Sequence, residues 1–128
     1  MILVGLLFTL LGSDAPFVDA GIEDVLEKAK AEKKLVFVDV YTDWCGPCKL
    51  LDKTTWKDEK VKAVLSDRMI SIKINAEKGE GIPFARKYRV RGYPSLLVLN
   101  GNGELLDRHT GYIHPRQFLV WLEKNFDD

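Results

Sequence analysis

Cys45 and Cys48 are the only cysteines of the chain. They sit in Trp44-Cys45-Gly46-Pro47-Cys48-Lys49, directly after the apolar run Leu35-Val-Phe-Val-Asp-Val-Tyr41. Two thiols at this spacing can form a redox dithiol, half of a metal site or a structural disulfide. A metal site of the usual kind needs four ligands, and His109 and His114 are not spaced to complete one. A pair of cysteines is also too few for a disulfide-built secreted scaffold. The redox reading therefore leads, and no metal is expected.

The thiolate is the nucleophile in such chemistry, and a free cysteine titrates near ~8.5. A cysteine at a helix N-terminus meets unpaired N–H groups and the positive end of the helix dipole, both of which favour the thiolate. Cys45 is placed there if a helix starts at Gly46. Cys48, one turn on, should face the same side and be more buried, so that it resolves a mixed disulfide by intramolecular attack. Gly46 and Pro47 keep the spacer short and stiff, and Pro47 is tolerated in a first turn because its missing N–H is not needed there.

The elements that must position this pair follow from periodicity. Ile22, Val25, Leu26 and Ala29 mark one apolar helix face, with Asp19 as the candidate N-cap. Acidic Glu23 and Asp24 precede Lys28, Lys30, Lys33 and Lys34, an order that suits the helix dipole. The run 35–41 is apolar on both faces apart from Asp39, as in a central, doubly covered strand. A helix follows from Gly46 through Leu50 and Leu51, weakened at Thr54-Thr55. Asp58 caps a further segment carrying Val61, Val64 and Leu65. Met69–Asn75 alternates as a strand, and Pro83 opens a short helix with Phe84 and Tyr88. Ser95–Leu99 and Glu104–Thr110 flank two Asn-Gly pairs, a hairpin signal. His114-Pro115 starts a last helix bearing Phe118, Trp121, Leu122 and Phe126. Phe17-Val18 gives a weak first-strand signal. The βαβ unit from Leu35 to Asn75 should cross over right-handed. The prediction is an α/β domain over residues 17–128, with a mixed central sheet of four to five strands and helices on both faces.

At 128 residues with 19 basic and 19 acidic side chains and a formal net charge of +0, the chain fits one soluble domain. It has no basic stripe for nucleic acid. Residues 1–16 differ from the rest. Met1 to Gly12 carries no charge, is shorter than the ~20 apolar residues that span a bilayer, and matches the core of a secretory signal. Candidate cleavage points follow Gly12 and Ala20. A basic leading region is missing, so the expectation is a truncated signal. The alternative is a first strand or apolar helix packed on the domain.

The hexapeptide Trp44–Lys49 after an apolar strand, together with Gly92-Tyr-Pro94-Ser-Leu-Leu-Val-Leu99, resembles thioredoxin over residues 17 to 126. The pattern Thr42-Asp-Trp-Cys, the stretch Thr54-Thr-Trp56-Lys-Asp58 and the turn Arg91-Gly-Tyr-Pro94 are similar to secreted thioredoxin-like proteins and to the C-terminal domain of bacterial thiol:disulfide interchange proteins. The resemblance implies the thioredoxin fold. It places Asp39 behind the resolving cysteine, where it exchanges a proton, and pairs it with Lys73. A carboxylate inside an apolar strand should in any case have a raised pKa; the bland alternative is a strand-end polar residue that reaches solvent.

Pro94 matches the family's cis-proline, although X-Pro bonds in general are mostly trans. Its neighbour Tyr93 departs from the Ile or Thr common in thioredoxins and should re-shape the groove in which an extended client pairs by strand addition. Gly92 and Gly111 match glycines that admit client backbone, or else simply punctuate turns. Trp44 is read as an apolar docking rim, with simple packing as the alternative. Tyr41 is expected to pack and to use its hydroxyl in a hydrogen bond.

The function these features predict is protein thiol–disulfide oxidoreductase, reducing client disulfides with no cofactor beyond the dithiol itself. Alternatives are a disulfide isomerase acting on exported proteins and a non-catalytic docking module. Expected partners are disulfide-bearing clients and an upstream electron donor, for an exported chain a membrane thiol:disulfide carrier. The protein is expected to be monomeric and periplasmic or otherwise exported, with the cytoplasm as the alternative.

Overall fold

The computed structural model describes residues 16–126. The apolar stretch over residues 1–15, with its readings as signal, strand or helix, lies outside the described residues.

Helix α1 (Ile22–Glu32) leads into strand β1 (Leu35–Tyr41), then helix α2 (Gly46–Lys53), a single 3-10 turn at Thr55–Lys57, helix α3 (Glu59–Asp67) and strand β2 (Met69–Asn75). Helix α4 (Gly81–Lys87), strands β3 (Ser95–Leu99) and β4 (Leu105–Thr110) and helix α5 (Pro115–Glu123) complete the order. The sheet has four strands in the order β2-β1-β3-β4, the lower of the two strand counts expected. β1 pairs parallel with β2 and antiparallel with β3, so it is central.

The alternation of β1 splits the core in two. Val36, Val38 and Val40 point to the face covered by Val25 and Ala29 of α1 and by Phe84 of α4. Phe37 points to the other, against Leu51, Trp56, Val61, Leu65, Phe118 and Leu122. Asp39 follows Phe37 by two and shares its face. Polar Asp39 is thereby directed at α2, the helix that carries the cysteines.

Two expectations are corrected. Asp19 does not cap α1: the N-cap is Gly21, with no side-chain cap bond, because Asp19 lies two residues outside it. Glu80 does the work from a distance, its carboxylate oxygens accepting from the Ile22 N–H at 3.3 and 3.2 Å. Helix α4 starts at Gly81, not at Pro83. Only Leu51 of the Leu50-Leu51 pair is core; Leu50 is exposed. Asp58 caps α3 as expected, its carboxylate accepting from the N–H groups of Lys60 and Val61. Phe17 forms an isolated parallel bridge with Ser71, and its ring lies against Phe37 and Trp56. Cleavage after Ala20 would remove that ring from the core, whereas cleavage after Gly12 would keep it.

A Cβ on Gly81 would lie 1.7 Å from the Asn75 carbonyl oxygen, where only glycine lets the two backbones meet. Gly46 has open space around its Cα. Gly81→Ala should therefore cost about 2 kcal/mol or more, since fixed backbone must move. Gly46→Ala should stay within about 0.5 kcal/mol of wild type. Urea unfolding of the two variants beside wild type checks the contrast.

Candidate redox site

The sharp turn after β1 delivers Cys45 as the N-cap of α2, with Pro47 in the first turn. Cys45 and Cys48 are joined in a disulfide with their Cα atoms 5.3 Å apart. The Cys48 N–H points at Cys45 Sγ, 3.1 Å away. This N–H is one of the unpaired donors of the helix start, and no acidic residue sits in the first turn to oppose a thiolate. The expected difference in burial is not seen in the disulfide form: Cys45 is 3% and Cys48 2% exposed. What separates them is position, Cys45 before the helix beside exposed Trp44, Cys48 within it.

Asp39 is fully buried. In register it stands opposite Lys73 on β2 and Leu96 on β3. Lys73 Nζ donates to Asp39 Oδ2 at 3.3 Å and to Asp52 Oδ1 at 2.6 Å. Trp56 Nε1 also donates to Asp39 Oδ2, at 2.9 Å. Asp39 Oδ1 finds no partner among the described residues. Burial pushes the Asp39 carboxyl above its ordinary value, against the opposing pull of Lys73 and the Trp56 N–H. Burial works to lower Lys73, but the charges and hydrogen bonds of Asp39 and Asp52 outweigh it and raise the ammonium. Asp39 thus does not reach solvent itself. The chain Asp39–Lys73–Asp52 does, with side chains 0%, 25% and 50% exposed.

The remaining expected residues lie on the turns after β1, before β3 and after β4. Trp44 is 65% exposed, its Nε1 donating to the Glu77 carboxylate at 3.1 and 3.2 Å. Its ring meets Tyr93 edge-on, centroids 5.9 Å apart. The Tyr93–Pro94 peptide bond is cis. The Pro94 carbonyl accepts from the Gly111 N–H at 2.8 Å, and Gly111 holds a φ of 105° that favours glycine. Gly92 has no such φ, and a Cβ there would press on the Thr110 methyl at 3.1 Å. The hydroxyl bond expected of Tyr41 is not found among the described residues; its ring lies beside Lys73 Nζ instead, at 4.8 Å.

Sequence reasoning missed three residues at this site. Asp52 is four residues after Cys48 on α2, a spacing that places it on the same helix face. Trp56 was legible as an aromatic in a polar stretch. Glu77 carried no local signal, since its partner Trp44 lies 33 residues earlier, beyond the end of the neighbouring strand.

Residues 22–126 match the family model described as a thioredoxin-like domain. The chain belongs to that family. Thiol:disulfide interchange protein DsbD of Tatumella citrea is 34% identical over 114 residues, covering 85% of this chain but 20% of that protein. The Yersinia pestis protein of the same name is 33% identical over 98 residues, 74% of this chain and 16% of the relative. The chain spans about a fifth of the length of these curated relatives. Among solved structures, a candidate disulphide-isomerase from Bacteroides thetaiotaomicron shares 37% identity with a TM-score of 0.73, covering 88% of this chain and 94% of that one. The oxidised C-terminal domain of DsbD from Neisseria meningitidis shares 28% identity with a TM-score of 0.70, over 86% and 98% of the two chains. The thioredoxin fold read from the sequence is the fold found.

Because Asp39 binds its proton more tightly when folded than at its unfolded value near 3.8, the folded state holds more protons within that window. Stability should fall as pH rises through it and level off above the folded value. Asp39→Asn removes the titrating group. The oxidised variant should be more stable than wild type at pH 7, and its stability should depend less on pH above the unfolded value of Asp39. Urea midpoints at several pH values measure both effects; a variant less stable than wild type at pH 7 would contradict the account.

Proposed function

We propose that the protein is a thiol–disulfide oxidoreductase that reduces disulfides of client proteins. The observation that carries this is the Cys45–Cys48 pair at the start of α2, close enough to bond, with buried Asp39 on the strand face directed at that helix. In the reduced protein the Cys45 thiolate attacks a client disulfide. A Cys45–client S–S bond forms and one client sulfur leaves as a thiolate. Cys48 then gives up its proton and attacks Cys45 Sγ. The intramolecular disulfide closes and the second client sulfur departs. Two electrons pass from the pair to the client, and no other redox group is needed. Asp39 is the proton acceptor, and Lys73 is its charge partner.

Trp44, Tyr93 and Pro94 would form the rim on which an extended client strand lies, with Gly92 and Gly111 keeping its flank low and exposed Gly46-Pro47 lying between the two cysteines. The clients are disulfide-bearing proteins in an exported setting. The pair is recharged by an upstream electron donor, a membrane thiol:disulfide carrier in that setting; relatives named thiol:disulfide interchange proteins support disulfide exchange as the reaction. The candidate disulphide-isomerase among the similar structures favours isomerase action on exported proteins as the second reading.

Reduction of insulin by dithiothreitol should be accelerated by wild type and not by Cys45→Ser. Cys48→Ser should instead accumulate a mixed disulfide visible by mass. Equal turbidity rates for wild type and Cys45→Ser would sink the oxidoreductase reading. A redox titration of the pair decides direction: a potential near about −270 mV marks a reductase, one near about −180 mV an isomerase.

A further inference from the structure

The two oxygens of Asp39 are not equivalent. Oδ2 receives both donors, the Trp56 N–H at 2.9 Å and the Lys73 ammonium at 3.3 Å. Oδ1 is buried and has no partner among the described residues. An unconstrained carboxyl would turn so as to share two donors between two oxygens. Something holds it, and the geometry identifies the indole.

The Trp56 ring is fixed independently of Asp39. It makes edge-on contacts with Phe17, Phe37 and Phe118, at centroid distances of 5.6, 5.6 and 5.1 Å. The 3-10 turn that bears it is tied down as well. The Thr55 hydroxyl donates to the Ile113 carbonyl at 2.7 Å, and the Thr54 hydroxyl pairs with that of Tyr112 at 2.7 Å. The indole N–H is therefore aimed by packing and by the turn, and the carboxyl rotates to meet it.

We infer that Trp56 is a positioning residue for Asp39: its N–H locks the carboxyl so that Oδ2 carries the hydrogen bond and the ion pair, while Oδ1 takes and gives the proton. The inference rests on the reading of Cys45–Cys48 as an exchanging dithiol. When Cys48 attacks, its S–H proton passes to Oδ1, the Cys48–Cys45 bond forms, and the Cys45–client bond breaks with the electron pair leaving on the client sulfur. Burial raises Asp39, and the Trp56 N–H opposes that rise. Losing the N–H must therefore move the working range of the base to higher pH. The charged groups acting on Asp39 are Lys73 from β2 and Asp52 from α2; β3 contributes only Ser95 and apolar side chains.

Two measurements test this. The first uses oxidised protein, where the cysteines do not titrate. The indole N–H resonance of Trp56, assigned by its loss in Trp56→Phe, should shift with pH in wild type and stay fixed over the same range in Asp39→Asn. The second uses reduced protein and dithiobisnitrobenzoate, for which attack by Cys45 releases one thionitrobenzoate and attack by Cys48 releases the other. In Trp56→Phe the second release should be slowed roughly fivefold at pH 7, the size of one lost hydrogen bond, and its pH profile should move upward. A variant that merely loosened the core would lose stability without moving that profile.

The inference is overturned by an indole resonance that titrates alike in wild type and Asp39→Asn, or by a Trp56→Phe profile that superimposes on wild type. Absence of a second release from wild type would remove the dithiol reading on which the inference rests. The indole titration distinguishes these outcomes, because it does not depend on turnover.

Discussion

A carboxyl group buried at the centre of the sheet is the constraint on which the rest of the site depends. Removing Asp39 from water costs free energy that one ion pair does not fully return, since Lys73 must give up part of its own hydration to reach it. The strand around Asp39 is apolar and could have been so throughout. That the fold tolerates this residue is explained by what surrounds it: an ammonium opposite in register, an indole N–H from the 3-10 turn, and Asp52 holding Lys73 from the solvent side. The group is not neutralised by its surroundings. Burial still raises its pKa against the pull of Lys73 and the indole N–H, the direction that the proposed proton transfer requires.

That arrangement follows from two periodicities. Strand alternation sends Asp39 to the same face as Phe37, and parallel register sets Lys73 beside it. Helical periodicity sets Asp52 one turn beyond Cys48, and so brings α2 over Lys73. The N-terminal end of α2 positions the sulfurs, while its second turn secures the lysine that faces the carboxyl. In the proposed function one short helix would thus serve both the electron chemistry and the proton chemistry. Its orientation is set by Leu51, which is buried in the core cluster that also holds Phe37 and Trp56.

The fold was legible because its signals are local. The strands at 35–41 and 69–75, the hairpin around Asn100–Gly103 and the cap at Asp58 all follow from side chains within a few residues of each other. The Cys45–Cys48 pair was legible for the same reason. What was not legible came from across the chain. Glu80 replaces Asp19 at the start of α1 from 58 positions away, and Glu77 holds Trp44 from 33. Trp56 reaches Asp39 only because the chain pauses in a 3-10 turn between α2 and α3. The sequence hint there, Thr54-Thr55, indicated a weakened helix. It did not say where the next aromatic would point.

The outer side of the site is built as one unit. Trp44 has its polar edge bound to Glu77 and its ring set edge-on to Tyr93, so the β1–α2 turn and the turn before β3 are coupled through aromatic contact. Gly111 extends the coupling by bonding the Pro94 carbonyl from the end of β4. A residue such as Ile or Thr at position 93 could not offer Trp44 an edge-on ring. The tyrosine there gives the exposed tryptophan a second support, and an exposed indole held at two points is a fixed apolar surface, which would lower the ordering cost of client docking in the proposed function.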